Sequence, residues 1–174
     1  LLRFTGGGGF DPFERRLEPE LATSWERSPD GLAYSFQLAK GVHWQNVLPT
    51  DGRLLVAEDV CWALERYGRE GVHKGYLAAM ASCEALDQHT VTVTLQRPQA
   101  DFDIPLGSRS FSIYPRELVD TETIENVDQQ SIFVGSGPFI LEEVVPGSHI
   151  QLRRNPDYWE GDVYLDGLKV SIEP

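Results

Sequence analysis

Between Leu32 and Leu38 large apolar residues alternate with small or polar ones: Leu32, Tyr34, Phe36 and Leu38 against Ala33, Ser35 and Gln37. A period of two is what a strand with one buried face requires, because successive side chains point to opposite faces. The strand is entered through Ser28-Pro29-Asp30-Gly31, where proline presets one turn dihedral and glycine accepts a positive φ. Lys40-Gly41 closes it. Val42-His43-Trp44 reads as a second short strand, and the turn-rich Leu48-Pro49-Thr50-Asp51-Gly52 leads into a helix predicted at about residues 57–67. There Val60, Ala63, Leu64 and Tyr67 share one face. Glu58 and Asp59 sit in the first turn, where the helix dipole favours negative charge, and Gly68 is the predicted left-handed stop.

A short helix is predicted near Tyr76–Ala81. Ala85-Leu86-Asp87 and the alternating Val91, Val93 and Leu95 then form a hairpin around Gln88-His89. Pro115 suits the first turn of another short helix, where its missing N–H costs nothing. The segment from Asp120 to Gln130 is polar and acidic, which predicts exposure. Phe139, Leu141 and Val145 run through Pro146-Gly147-Ser148 into Ile150 and Leu152, a second hairpin pattern, and Leu168, Val170 and Ile172 alternate again. With more strand than helix, no βαβ alternation and no internal repeat, the pattern predicts a mixed, strand-rich α+β fold.

A chain of 174 residues can bury one core, which predicts one domain or one and a half. The net charge of -12 repels phosphate backbones and anionic lipid, and the Arg15-Arg16 and Arg153-Arg154 pairs are flanked by carboxylates, so a nucleic-acid role is excluded. No stretch approaches the ~18 apolar residues of a membrane-spanning helix. Leu1-Leu2-Arg3-Phe4 reads as the interior of an element, without an initiating Met, and the chain is expected to be a truncated piece. The two cysteines, Cys61 and Cys83, are too few for a four-ligand zinc cluster and leave either two buried thiols or one bridge.

The candidate chemistry is sparse. Gly6-Gly7-Gly8-Gly9 lacks the Lys-Ser/Thr that completes a phosphate loop, and Gly135-Ser136-Gly137-Pro138 lacks the spacing of a nucleophile elbow. Its glycines suit a tight backbone crossover into Phe139. His43, His73, His89 and His149 are scattered, without metal-ligand spacing to one another. The adjacent carboxylates Glu58-Asp59 and Glu142-Glu143 diverge from a regular backbone rather than converge as an acid/base pair. No catalytic residue and no metal site is assigned.

Four blocks, in order, resemble the peptide, dipeptide and nickel class of extracytoplasmic solute-binding proteins, family 5. The first runs Pro19-Glu20-Leu21-Ala22-Thr23-Ser24-Trp25-Glu26, then Ser28-Pro29-Asp30-Gly31-Leu32-Ala33-Tyr34-Ser35-Phe36 and Lys40-Gly41-Val42-His43-Trp44. Ala57-Glu58-Asp59-Val60 opens the second. The third is Thr90-Val91-Thr92-Val93-Thr94-Leu95-Gln96-Arg97-Pro98, and the fourth is Gly135-Ser136-Gly137-Pro138-Phe139 followed by Arg154-Asn155-Pro156-Asp157-Tyr158-Trp159. Three features depart from the family's pattern: Val56 where Thr or Ser usually caps the helix, an extended Asn46–Leu55 loop, and a short stretch between helix and third block. That shortness is closer to nickel-type members than to long peptide binders.

The resemblance implies part of the first lobe of a type II periplasmic-binding-protein-like fold together with the extra subdomain of the peptide-binding class. The subdomain is expected at approximately 32–130 and the return into the first lobe at 131–174, with the second lobe absent. It implies a non-enzymatic binder that captures a peptide, nickel chelate or other small solute and delivers it to an ABC permease in the membrane. It implies no cofactor and no nucleic-acid partner. Location on the periplasmic or extracellular face of the cytoplasmic membrane, with a lipid anchor as one form, follows from the same resemblance. Similarity to nickel-type members suggests that His73, Tyr76, Arg109 and Phe111 lie near the ligand cleft. Arg109 would pair with a carboxylate and the aromatic rings would stack. A solute-sensing domain of a transcription regulator is the alternative, distinguished by a basic helix-turn-helix ahead of Leu1.

Overall fold

The computed structural model describes residues 1–6, 16–119 and 133–172. These divide into two compact units, Leu1–Lys40 with Val56–Ile113, and Gly41–Leu55 with Tyr114–Pro174.

In the first unit, β1 (Leu2–Phe4) pairs antiparallel with β2 (Leu17–Pro19). A four-stranded antiparallel sheet then runs β3-β4-β6-β5, from β3 (Ala22–Arg27), β4 (Ala33–Leu38), β5 (Met80–Asp87) and β6 (Thr90–Leu95). The alternation foreseen for β4 is present: Tyr34, Phe36 and Leu38 are buried, and Phe36 faces Val91 while Tyr34 faces Val93 across the β4–β6 ladder. Each such fully buried side chain contributes about 1.5–3 kcal/mol of apolar burial. The turn into β4 forms as the residues dictate. Asp30 Oδ1 accepts from the Ser28 hydroxyl (2.6 Å) and the Leu32 N–H (3.0 Å), and Gly31 takes φ +71° beneath Pro98. The β5–β6 turn closes similarly, with Asp87 accepting from the His89 N–H at 2.7 Å and the Thr90 hydroxyl at 2.9 Å.

Helix α1 (Ala57–Glu70) packs across β5 and β6 and buries Val60, Ala63 and Leu64. Valine at the cap position offers no acceptor, so the reverse half of a capping box serves instead: the Val56 N–H donates to Asp59 Oδ2 at 3.1 Å. Gly68 does not end the helix as its sequence suggested. The helix continues to Glu70 and ends at Gly71 in extended conformation (φ -64°, ψ 145°). At Gly68 a Cβ would make only an ordinary contact with the Met80 methyl, at 3.5 Å. The helix foreseen near Tyr76–Ala81 is a single 3-10 turn at Lys74–Leu77, because Met80 and Ala81 already belong to β5. Cys61 on α1 and Cys83 on β5 form a disulfide.

The second unit contains a three-stranded antiparallel sheet, β7 (Phe139–Val145), β8 (His149–Arg154) and β9 (Gly167–Ser171), in the order β7-β8-β9. The hairpin turn falls at Pro146-Gly147-Ser148 as predicted, with the Ser148 N–H donating to the Val145 carbonyl at 3.0 Å. Among the described residues, Val42-His43-Trp44 pairs at one bridge, His43 to Leu54, closed by the Trp44 N–H to the Arg53 carbonyl (3.0 Å) and the Leu55 N–H to the Val42 carbonyl (2.9 Å), rather than as a strand. Arg53 ties this loop down through a two-pronged pair with Glu117, at 2.6 and 2.9 Å. Pro115 stands at the cap of a 3-10 turn, Arg116–Leu118. The expected exposure of residues 120–130 and the setting of Gly7–Gly9 lie outside the described residues.

Candidate functional site

Four stretches of the first unit surround an open cavity of about 310 Å³. Phe4 closes one side from the end of β1. His73 and Tyr76 come from the 3-10 turn after α1, Gln99 to Pro105 from the segment after β6, and Ser108, Ser110 and Phe111 from the turn beyond it. The aromatic rings form a connected cluster: His73 to Tyr76 at 6.2 Å between centroids, Tyr76 edge-on to Phe111 at 6.4 Å, and Phe111 edge-on to Tyr67 at 5.4 Å. Edge-to-face contacts at this spacing fix ring orientation beyond what area burial supplies.

The wall is held from behind. The Tyr34 hydroxyl donates to the Gln99 carbonyl at 2.7 Å, and Trp25 Nε1 donates to Asp103 Oδ2 at 2.9 Å. Burial, with the Asp103 carboxylate as a lesser cause, holds the Tyr34 phenol above its ordinary value of 10.0, so it stays a donor. The Ser110 N–H donates to Ser108 Oγ at 3.2 Å, fixing the turn that presents both serines. Gly107 sits where strand and turn come close: a Cβ there would fall 2.6 Å from Leu17 Cδ2 and 3.4 Å from the Phe4 ring, so the Leu17 side-chain end would have to shift.

Of the residues expected near a ligand, His73, Tyr76 and Phe111 meet at this cavity. Phe111 is buried at its base, while Tyr76, 59% exposed, stands at the mouth. Arg109 is exposed on the same 3-10 turn but does not line the hollow. Phe4, Gln99, Asp101, Ile104, Pro105, Ser108 and Ser110 also line it and were not among the residues expected there. They follow no period, and only the folded path brings them together.

The other candidate chemistry is dispersed. Among the described residues no three His, Cys, Asp or Glu side chains converge on a point that a metal would occupy. Glu142 accepts from Gln151 Nε2 at 2.9 Å while Glu143 faces His149 at 3.4 Å, and Asp59 turns inward while Glu58 is exposed. The Gly135-Ser136-Gly137-Pro138 crossover is a structural joint. Gln45 Oε1 accepts from the Gly135 N–H at 3.2 Å, and Gln45 Nε2 donates to the Phe139 carbonyl at 2.7 Å and the Gly137 carbonyl at 3.3 Å. Asn155 Nδ2 donates to that same Gly137 carbonyl at 3.0 Å. The Gly135–Phe139 and Arg154–Trp159 segments of the fourth block are thus tied to each other through Asn155, and Gln45 is bonded to the first of them.

An aromatic, open-faced hollow with a few polar groups on its rim is the equipment of a binder. Comparison with known proteins specifies which. Residues 16–174 match the model of the bacterial extracellular solute-binding proteins, family 5 Middle, and the chain belongs to that family. Its mixed, strand-rich fold is that of the periplasmic binding proteins it matches. Heme-binding protein A of Haemophilus influenzae is 35% identical over 177 residues, covering 91% of this chain and 32% of the relative. Among solved structures, the periplasmic binding protein DppA from Helicobacter pylori, in complex with the peptide STSA, is 31% identical with a TM-score of 0.79. The match covers 100% of this chain and 36% of that one. NikZ from Campylobacter jejuni, in complex with Ni(L-His), is 26% identical with a TM-score of 0.74, over 90% of this chain and 31% of that one. The chain spans about a third of the length of these relatives. Family members are periplasmic or extracellular, and among the described residues no helix is long and apolar enough to cross a membrane.

Proposed function

We propose that this chain supplies one wall of the solute cleft in the substrate-binding component of an ABC importer, which hands a peptide, nickel chelate or other small solute to a membrane permease without chemical turnover. The observation that carries this reading is the meeting of His73, Tyr76 and Phe111 around one cavity. In this reading the chain is part of the first lobe with its extra subdomain, approximately 32–130, and residues 131–174 return to that lobe. A second lobe, in the remaining length that the relatives possess, forms the opposing wall and closes on the solute about a hinge. Tyr76 and Phe111 stack on the solute, and Arg109, beside the lining serines, pairs with an anionic group at the rim. The relatives bind, by their names, heme, a peptide and a nickel–histidine complex. One scaffold therefore serves several cargoes, and the cargo here is set by side chains rather than by fold.

The test is calorimetry of the full-length protein against three probes: the peptide Ser-Thr-Ser-Ala, the nickel–histidine complex and heme. One of these classes binds with a dissociation constant of about 10 μM or tighter, and Tyr76→Ala weakens it by about tenfold or more. Binding that Tyr76→Ala and Phe111→Leu leave untouched would overturn the placement of the site, and turnover of a bound probe would overturn the role.

A further inference from the structure

The Cys61–Cys83 disulfide joins α1 to β5, and these are the two stems from which the cavity's 3-10 turn emerges. Between the cysteines lie the last turns of α1, then His73 and Tyr76, then the entry to β5. Among the described residues, the backbone hydrogen bonds of this turn close on its own neighbourhood: Lys74 to Gly71 at 3.1 Å, Tyr76 to His73 at 3.0 Å, and Ala78 to Gly75 at 3.3 Å. The turn is tied to the sheet at its far end, where Leu77 and Ala79 are buried and the Gln96 N–H donates to the Ala79 carbonyl at 2.8 Å. At its near end it hangs from the helix. His73 and Tyr76 are both exposed, so their position depends on where the two stems hold the turn.

From this arrangement we infer that the disulfide is a positioning device for the binding wall: it fixes the axial placement of α1 on β5 and thereby the His73–Tyr76 rim relative to Phe111. The inference rests on the reading of the cavity as part of the solute cleft. A staple that only opposes unfolding acts on the unfolded chain by shortening a loop. A positioning staple also acts inside the folded state, restraining a local opening that never exposes the core. The two roles separate in amide exchange. Strand amides such as Val91 and Val93 open with the whole unit, whereas the rim amides of Lys74, Tyr76 and Ala78 open locally.

The experiment is native-state hydrogen exchange on the full-length protein, oxidised and as the Cys61→Ser/Cys83→Ser pair. The oxidised protein treated with dithiothreitol in native buffer is the second form, in case the variant folds poorly. Loss of the bond is expected to speed exchange at the Lys74, Tyr76 and Ala78 amides by about tenfold or more. Unchanged rim exchange, whatever the strand amides do, overturns the inference, as does a uniform acceleration in both forms. No solute is used, so failure here falls on the staple alone. Failure of the functional reading would instead show as absent or misplaced solute binding in a protein whose rim responds as described.

Discussion

Replacing Gln45 by leucine probes the joint at Gly135–Phe139, the first segment of the fourth block. Gln45 is 3% exposed, and leucine is close to it in size, so the substitution removes hydrogen bonds with little change in volume. Three side-chain bonds are lost. The Gly137 carbonyl keeps its bond from Asn155 Nδ2, but the Gly135 N–H and the Phe139 carbonyl each lose this partner. Burying such a group without its partner costs about 1–3 kcal/mol, so with two groups affected Gln45→Leu should lower stability by about 2–6 kcal/mol. That is a large fraction of the ~5–15 kcal/mol by which a domain is held folded. Urea unfolding followed by tryptophan fluorescence should show a lower midpoint at unchanged slope. Because Gln45 and Asn155 donate to one carbonyl, a double-mutant cycle with Asn155→Leu should return a coupling of about 1 kcal/mol. A loss below ~0.5 kcal/mol for Gln45→Leu, or strict additivity with Asn155→Leu, would show that the joint is not held as described.

Four further outcomes are expected. The disulfide closes a sequence separation of 22, so reduction should cost about 3 kcal/mol in the chain-entropy account; an unchanged thermal midpoint under dithiothreitol would contradict it. Glu117→Gln breaks the Arg53 pair, whose side chains are 31% and 25% exposed, and should cost about 1 kcal/mol or less, shrinking as salt is added. Asp30, chiefly through the Ser28 hydroxyl, and Asp87, chiefly through the His89 N–H, titrate below the ordinary 3.8. Their folded forms release protons more readily than the unfolded chain. The stability they add is therefore present above about pH 3.8 and lost as pH falls through the depressed values, and NMR titration placing either at or above 3.8 would refute it. Residues 1–174 alone should bind the solute of the full-length protein at least about a hundredfold more weakly, since one wall forfeits the contacts of closure; equal calorimetric affinity would count against a two-walled cleft.

Strand periodicity was legible because half-buried strands write it directly. Tyr34, Phe36 and Leu38, and Val91, Val93 and Leu95, needed only the alternation to be placed. The hairpin turns were readable for the same local reason, as Asp30 and Asp87 bond their own backbone two residues on. The end of α1 was not. Gly68 looks like a stop, but the helix runs on to Glu70 and ends at a second glycine, Gly71, and the local pattern does not choose between the two. The Val42–Trp44 stretch carried strand-forming residues, yet its pairing stops at one bridge, His43 to Leu54, with the Trp44 N–H on the Arg53 carbonyl and the Leu55 N–H on the Val42 carbonyl; Trp44 is buried, with the Arg53 guanidinium 5.9 Å from its ring. The cavity was the least legible part. Its walls come from stretches far apart in the chain, and His73, Tyr76 and Phe111 were reachable only through family resemblance. Phe4 and the segment from Gln99 to Pro105 left no periodic trace.

A crystal structure of the full-length protein with its bound solute would locate the cleft outright. Solute atoms are expected within about 4 Å of the Tyr76 and Phe111 rings. Solute held elsewhere, with Tyr76 and Phe111 facing bulk water or another part of the chain, would contradict that placement.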